Sequence, residues 1–272
     1  MDSRMTWLLD EKWEEAGVND LAPAIKAQGD QYFIISRQEA RLGTEMTIPL
    51  HSHPTLAYGS IQFARALRSD FYPGKWCDWT ALRCERYYPQ VSDFLLNDDY
   101  ILLPAGEVIR RQDALLEMWG QIFVRPVRAD KPFSGFVATR EHANEIERVL
   151  AEVETHELVA LARPKQIQAE YRAVVVRSQG VIAVSQYMEE GALHLKPEMP
   201  VPARQVAEAV VQTLGEGFPD PMFVVDIALC QGDYRLLEIN SFSASLFYAC
   251  DLNAIVRAAH GEALREWQTI QV

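Results

Sequence analysis

Three oxygen-bearing side chains lie in two apolar segments near the C-terminus, at positions where an ordinary core strand carries Val or Leu. Asp226 falls in the first segment (223–229), and Glu238 and Asn240 fall in the second (234–240). A carboxylate inside an apolar strand is strongly unfavourable unless a partner neutralises it. Carboxylate and carboxamide oxygens are ligands of hard divalent cations, so the simplest shared partner is Mg²⁺.

The two segments predict a β-hairpin whose loop sets the relation between the carboxylates. Side chains alternate along a strand, so Glu238 and Asn240 share one face. A three-residue loop, 231–233, with a left-handed residue places Asp226 directly opposite Glu238 on that face, whereas a two-residue loop places them on opposite faces. Facing carboxylates repel each other, and a bound cation turns the repulsion into coordination. The alternative is a structural hairpin with one buried, hydrogen-bonded Asp and an exposed Glu.

The hairpin resembles a motif of a known family. The stretch from Val225 to Ser243 resembles the terminal motif of the ATP-grasp superfamily, in which an acidic residue on one strand and Glu-x-Asn on the next hold Mg²⁺ against the ATP phosphates. The likeness runs from about residue 96 to about residue 255 and is strongest to a clade of small bacterial and phage proteins named for two arginines and a lysine. Upstream, Gln121 to Pro126 resembles a family strand that ends in Lys-Pro, but has Arg125 in place of Lys. Glu157 to Ala162 resembles the hinge strand that hydrogen-bonds adenine. Glu170 to Tyr187 resembles the hairpin that follows the hinge.

The resemblance implies an α/β (α+β) chain with the ATP-grasp fold and a smaller N-terminal α/β domain. Alternating strands and helices in the first part of the chain favour such a unit. They are predicted strands at 7–9, 32–36 and 55–58 and predicted helices at 19–27 and 61–67. We place the boundary near residue 95, which gives domains 1–95 and 96–272. Farther along, Thr139 is predicted to cap a helix over 140–151.

Cations occupy two positions where they would meet an anion. The segment 125–135 joins two predicted strands, carries Arg125 and Lys131 and ends in Gly, so it can fold over a triphosphate and exclude water. Arg172 falls inside an apolar strand, and a buried Arg requires an anion. The competing interpretations are a solvated charged loop and an ion pair between Arg172 and Glu170, which share a face.

The resemblance assigns a role to each of these residues. It implies that Asp226, Glu238 and Asn240 hold Mg²⁺ and that Arg125, Lys131 and Arg172 act on the phosphates in catalysis. The residues implied to bind ATP are Arg125, Lys131, Glu157, Val159, Ala160, Glu170 and Arg172. Arg has a planar fork and no acid–base chemistry, so its presence at 125 changes the phosphate contact, and Lys131 can supply the ammonium.

The implied activity is that of an ATP-dependent carboxylate–amine (or thiol) ligase. ATP phosphorylates a carboxylate to an acyl phosphate, and an amine or other nucleophile displaces the phosphate, leaving ADP. The expected partners are a small-molecule or peptide carboxylate and a nucleophile acceptor; both identities and the oligomeric state stay open. The alternatives are a nucleotide-binding module without ligase activity and a phosphotransferase that uses the same MgATP site without ligation.

Composition and charge exclude several other classes of protein. The 272 residues are 49% hydrophobic, which is enough for a large core. The formal net charge of −12 and the lack of an obvious basic face argue against general nucleic-acid binding. No apolar run approaches the ~20 residues that span a bilayer, and the N-terminus lacks a signal-peptide pattern, so we expect a soluble cytoplasmic protein. Four cysteines without a C-x-x-C pair indicate free thiols.

Several polar and aromatic residues have both a structural and a functional interpretation. Ser60 after Gly59 can bind an anion at a helix N-terminus or, as we favour, only cap the helix. His51 and His53 can be a metal pair, but a polar loop is favoured. An aromatic group either wedges the domains together, which is favoured, or lines a pocket: Trp76, Trp79, Tyr87, Tyr88 and Phe94. Three hydroxyls after the hairpin either orient a substrate carboxylate or cap a turn: Ser241, Ser243 and Ser245.

Overall fold

Three β-sheets follow one another along the chain, one parallel and two antiparallel. The computed structural model describes residues 4–15, 20–42, 53–67, 72–142, 144–218 and 220–270. Within these ranges the mixed α/β architecture predicted from the sequence is confirmed.

The first sheet is parallel and is built from short strands that alternate with short helices. Its elements are β1 (Thr6–Asp10), α1 (Glu11–Glu15), α2 (Ala22–Gln28), β2 (Gln31–Ile35), α3 (Arg37–Leu42), β3 (Thr55–Tyr58), α4 (Ile61–Ala66) and β4 (Pro73–Gly74). The strand order is β2-β1-β3-β4. The apolar strand β2 therefore lies at an edge and is only partly buried, although its composition predicts a strand covered on both sides.

The second sheet is antiparallel and follows a connecting segment that contains α5 (Cys84–Tyr87). Its elements are β5 (Ile101–Pro104), α6 (Ala105–Trp119), β6 (Gln121–Pro126), β7 (Phe136–Thr139), α7 (Asn144–Leu150) and β8 (Leu158–Ala162). The strand order is β5-β8-β6-β7. The helix predicted over 140–151 is wrong at its start: a 3₁₀ turn occupies 140–142 and α7 begins at Asn144. Helix α6 was not predicted.

The third sheet holds the hairpin that carries Asp226 and Glu238. Its elements are β9 (Ile167–Val176), β10 (Gly180–Glu189), β11 (Ala192–Lys196), α8 (Val201–Leu214), β12 (Met222–Cys230), β13 (Asp233–Ser241) and α9 (Leu252–Ile270). The strand order is β11-β10-β9-β12-β13. The hairpin at 170–187 is thus where the sequence predicted it, as β9 and β10.

Strands β9 and β12 are buried on both faces. On one face Ala173 and Val175 pack with residues of α8 in one apolar cluster. On the other face Val174 and Val224 pack with α9 and with Trp7 of the first sheet. Because both faces are covered, a charged side chain in either strand is separated from water and needs a partner.

The hairpin reaches the predicted pairing of carboxylates by a different route. Cys230 pairs with Asp233, so the loop has two residues, not three, and both Gln231 and Gly232 have positive φ (53° and 87°). This geometry suits a two-residue hairpin turn. A register shift then makes Asp226 pair with Glu238 while Ile227 pairs with Leu236, which leaves Leu237 as the extra residue of a β-bulge. The predicted three-residue loop was wrong, but the bulge still places Glu238 opposite Asp226 on the same face, as that loop would have done.

Several sequence predictions concern the N-terminal part of the chain. Ser60 caps α4 by accepting a hydrogen bond from the amide of Phe63, as favoured. The start of the predicted helix at Asn19 and the side chain of His51 lie outside the described residues.

The four cysteines are free and buried. The domain boundary near residue 95 stays a prediction.

Within the described ranges no helix combines the length and the apolar character needed to cross a bilayer.

Replacing Gln231 by Asn is expected to raise the free energy of unfolding by about 0.5 kcal/mol, because Asn adopts positive φ more readily than Gln. Urea unfolding followed by circular dichroism measures the change. Gln231→Val is the opposed control and should cost about 1 kcal/mol, since a β-branched side chain is strained at positive φ. A Val variant as stable as the Asn variant would contradict the turn assignment.

Candidate active site

A cleft of about 340 Å³ opens between the second and third sheets. One wall comes from β6 and the loop before β7, and the other from β9 and β13. The lining residues are Phe123, Arg125, Pro126, Lys131, Phe133, Ser134, Gly135, Ile167, Glu170, Leu237 and Glu238. Charged groups predicted from separate parts of the sequence therefore meet in one cavity.

A buried ion pair on β9 and β12 is connected to the cleft residue Glu238 through Asn240. Arg172 on β9 lies opposite Asp226 on β12, and its Nε and Nη2 atoms donate to Oδ1 and Oδ2 at 2.8 and 2.7 Å. The Asp226 side chain is fully buried and that of Arg172 is 7% exposed. Such a two-point contact is the strongest geometry available to Arg and a carboxylate. Asp226 is therefore the anion that the buried Arg requires.

The alternative pairing of Arg172 with Glu170 is not what the structure shows. The Glu170 carboxylate instead accepts a hydrogen bond from the Tyr187 hydroxyl at 2.5 Å. Burial raises the pKa of Glu170, and the nearby carboxylates of Asp226 and Glu238 raise it further, against the hydrogen bond from Tyr187. Glu170 still lines the cleft, as a site residue should.

Glu238 is held by two cations from the second sheet. Arg125 Nη2 donates to its Oε2 at 2.9 Å, and Lys131 Nζ donates to its Oε1 at 2.6 Å. Burial alone would raise the pKa of Glu238, but the charges of Lys131 and Arg125 outweigh burial and hold that pKa well below its ordinary value. The loop at 125–135 is thus ion-paired across the cleft, not merely solvated.

Asn240 joins the two carboxylates. Its Nδ2 atom donates to Asp226 Oδ2 and to Glu238 Oε1, both at 2.9 Å. One atom therefore already contacts an oxygen of each carboxylate. Two carboxylates and a carboxamide that converge in this way fit Mg²⁺, with Asn240 turned to offer its oxygen. The described residues contain no cluster of three or more His, Cys, Asp and Glu side chains that could hold a metal ion; the third donor proposed here is an amide.

The strand predicted to hydrogen-bond adenine adjoins β6, where Ala160 pairs with Arg125 and Val159 with Pro126. Val159 and Ala160 occupy β8, which pairs on one side with β5 and on the other with β6, and both side chains are buried. Glu157 precedes β8, and its Oε1 accepts from Arg83 at 2.6 Å. The role of Glu157, Val159 and Ala160 in nucleotide binding stays a prediction. Among the apolar residues that line the cleft, Ile167 at the start of β9 is the one closest in sequence to these three.

The hydroxyls of Ser243 and Ser245, after the hairpin, form hydrogen bonds with backbone groups. Ser243 Oγ accepts from the Trp76 amide at 2.9 Å, and Ser245 Oγ donates to the Ser241 carbonyl at 2.6 Å. Gly59 and Tyr58, at the end of β3, also donate to the carbonyls of this segment. These contacts fit a turn that fastens the first sheet to the hairpin, and they favour the structural interpretation of the serines.

Sequence reasoning missed the aromatic residues around Arg172. The rings of Tyr187 and Tyr248 stack 4.6 Å apart and nearly parallel, and the guanidinium lies 5.4 and 4.8 Å from their centroids. Such contacts stabilise a desolvated cation. No local pattern predicts them, because Arg172 and Tyr248 come from distant parts of the chain.

Solved structures with the same fold include two synthetases and an ATP-grasp ligase. The D-cycloserine synthetase DcsG has a TM-score of 0.63 and 14% identity, covering 95% of this chain and 99% of its own. The D-alanyl-alanine synthetase A of Vibrio cholerae O1 biovar eltor has a TM-score of 0.63 and 12% identity, covering 97% and 100%. The ATP-grasp ligase PsnB, complexed with a minimal precursor, Mg and ADP, has a TM-score of 0.58 and 12% identity, covering 97% and 98%. At such identities these likenesses show the fold, which is the predicted ATP-grasp fold.

A family match identifies the chain more closely. The ATP-grasp domain of the R-2-K clade, family 2, matches residues 109–258, more than half of the 272 residues. The chain therefore belongs to that family. ATP and Mg²⁺ are the cofactors of ATP-grasp enzymes, in agreement with the prediction. No curated protein matches the sequence.

Replacing Arg172 by Met is expected to destabilise the protein by about 3–5 kcal/mol, because it leaves the buried Asp226 carboxylate without its counter-ion. Urea unfolding measures the loss. The double variant Arg172→Met, Asp226→Leu is the matched control, and it should recover much of the loss since both charges are removed. A single variant within about 1 kcal/mol of wild type would show that this ion pair is not required.

Proposed function

We propose that this protein is an ADP-forming ligase that activates a carboxylate as an acyl phosphate and transfers the acyl group to an amine or another nucleophile. One observation carries the proposal: three cations and three oxygen donors form one connected network that reaches the cleft at Arg125, Lys131 and Glu238. Each carboxylate of this network is already paired with a cation. The cations are those suited to phosphate oxygens, and the oxygen donors are those suited to Mg²⁺.

Binding of MgATP in this proposal is an exchange of partners. Arg125, Lys131 and Arg172 turn from the carboxylates to phosphate oxygens, with Arg offering a two-point contact and Lys a point charge. The cations outnumber the two carboxylates that they contact, so this network attracts an anion. Bound Mg²⁺, held by Asp226, Glu238 and Asn240, would supply charge neutralisation on the phosphates.

The residues of the chain then position the reactants and stabilise charge. A carboxylate oxygen of the acid attacks the γ-phosphorus, the bond to ADP breaks, and the negative charge on the transferred group rests against the cations. The nitrogen of the acceptor next attacks the acyl carbon, phosphate leaves, and the amine proton passes to solvent. No nucleophile of the protein is required, and we found no Ser–His–Asp arrangement in the sequence.

The substrates proposed are amino acids or peptides. The similar structures include a D-cycloserine synthetase, a D-alanyl-alanine synthetase and a ligase complexed with a precursor. We further propose that residues 1–95 form the smaller domain that flanks the acceptor side of the site. Support comes from β3, where the Gly59 amide and the Tyr58 hydroxyl donate to the carbonyls of Ser243 and Ser245 at 3.0 and 2.9 Å, directly after the metal-binding hairpin.

Thermal stability tests the nucleotide–metal site. ATP and Mg²⁺ together, at about one hundred dissociation constants, should stabilise wild type by ~2.7 kcal/mol, and either alone should do much less. Glu238→Gln should lose most of this shift, because it removes a negatively charged oxygen donor. Asp233→Asn, an exposed position of the same hairpin, is the matched control and should respond like wild type. An unchanged shift in Glu238→Gln would contradict the metal assignment.

Hydroxylamine trapping tests the chemistry. Wild type, MgATP and a panel of amino acids and dipeptides should release ADP only with the correct acid, and hydroxylamine should convert the acyl phosphate to a hydroxamate. Glu238→Gln should lower the rate by orders of magnitude. MgATP binding without acid-dependent ADP release would instead indicate a nucleotide-binding module, and a stable phosphorylated product would indicate a phosphotransferase.

A further inference from the structure

The position of Glu238 depends on the β-bulge. With a two-residue loop, the ladder starts at the Cys230–Asp233 pair and would bring Leu237 opposite Asp226. Glu238 would then point to the other face of the sheet, because each one-residue slip reverses the faces. The extra residue at 237 corrects the register by one, so a carboxylate faces Asp226. Whatever fixes the bulge also fixes the geometry of both carboxylates.

The connecting segment before β5 fastens the bulge from one side. The amide of Leu96 donates to the carbonyl of Leu236 at 2.9 Å, and Leu95 forms an isolated bridge with the same residue. The hydroxyl of Tyr87 accepts from the amide of Ile239 at 3.3 Å in a buried setting. These contacts hold the backbone immediately before and after the residues 237 and 238.

Tyr88 acts on the same bulge through Arg125. Arg125 Nη1 donates to the carbonyl of Leu237 at 3.2 Å and to the Tyr88 hydroxyl at 3.1 Å. Its other terminal nitrogen holds Glu238. Tyr87 and Tyr88 are 2% and 1% exposed, and their rings meet edge to face with centroids 5.1 Å apart. The Tyr87 hydroxyl therefore contacts the residue after Glu238, and the Tyr88 hydroxyl contacts Arg125.

We propose that Tyr87 and Tyr88 are positioning residues of the metal site, which hold the bulge so that Glu238 faces Asp226. The proposal rests on the proposed function of that site. Packing was the favoured interpretation of both residues from the sequence, and their rings do pack. Their hydroxyls add a second role, which is to set the register of a carboxylate that they do not touch.

The coupling between Mg²⁺ and ATP is the property that separates this role from packing. The dissociation constant of ATP is measured by calorimetry once with EDTA and once with excess Mg²⁺, and the ratio of the two constants reports the metal site. Tyr87→Phe should lower this ratio about 10-fold, which is the lower end of the loss of metal affinity caused by mutating residues that orient a metal ligand. ATP binding in EDTA should stay within about twofold, because the cations are untouched.

Two further variants complete the design. Tyr88→Phe should also lower the ratio, by a smaller factor, since Arg125 keeps its contacts with Leu237 and Glu238. Tyr100→Phe is the matched control: its ring packs on Tyr88 with centroids 4.9 Å apart, and its hydroxyl makes no hydrogen bond to the bulge among the described residues. It should behave as wild type.

The outcomes distinguish this proposal from the function on which it rests. A large ratio in wild type with an unchanged ratio in Tyr87→Phe and Tyr88→Phe would overturn the positioning role alone, even if both variants melt at a lower temperature. A ratio near one in wild type would overturn the metal site itself, and the positioning role with it. A reduced ratio in Tyr87→Phe but not in Tyr100→Phe would support the proposal.

Discussion

A carboxylate buried in the middle of an antiparallel sheet is the constraint on which the rest of the site depends. Asp226 has no exposed surface, so its charge must be balanced by a group that is buried with it. Arg172, directly across the ladder, meets that need with two hydrogen bonds. Asn240 connects this pair to Glu238. Glu238 in turn accepts hydrogen bonds from Arg125 on β6 and from Lys131 in the loop that follows β6. The site is thus assembled outward from one residue.

Ionic closure of the cleft differs in kind from apolar closure. Apolar walls that meet must expose their surface to water when a ligand separates them. Ion pairs can exchange one charged partner for another, so a phosphate and a divalent cation can take the places of the carboxylates and the guanidinium groups without leaving any charge unpaired. The arrangement of Arg125, Lys131 and Glu238 therefore holds the walls together and still permits entry of a ligand that carries both signs of charge.

The sequence predicted the local elements well and the long-range contacts poorly. The hairpin, the face shared by Glu238 and Asn240 and the need of Arg172 for an anion all follow from periodicity and burial, which are local properties. The partner of Arg172 was left open between a ligand and Glu170, because only the pairing of β9 with β12 brings Asp226 opposite. The bulge at Leu237 has no sequence signal of its own, since the groups that contact it and its neighbours come from distant parts of the chain, at Leu96, Tyr87 and Arg125. Val159 and Ala160 lie inside a sheet whose pairing the sequence does not reveal.

The bulge at Leu237 also gives Arg125 a backbone partner, which a change of the side chain at 237 does not remove. A bulged residue has no counterpart in the ladder, so its carbonyl is available to other donors, and Arg125 uses it. A backbone carbonyl carries no titratable proton and is the same for every amino acid. In the proposed exchange of partners, in which Glu238 turns toward a metal ion, Arg125 therefore keeps one hydrogen bond to the protein. Substitutions at 237 can change the apolar lining of the cleft while the backbone contact with this guanidinium persists, which makes that position suited to variation in the shape of the cleft.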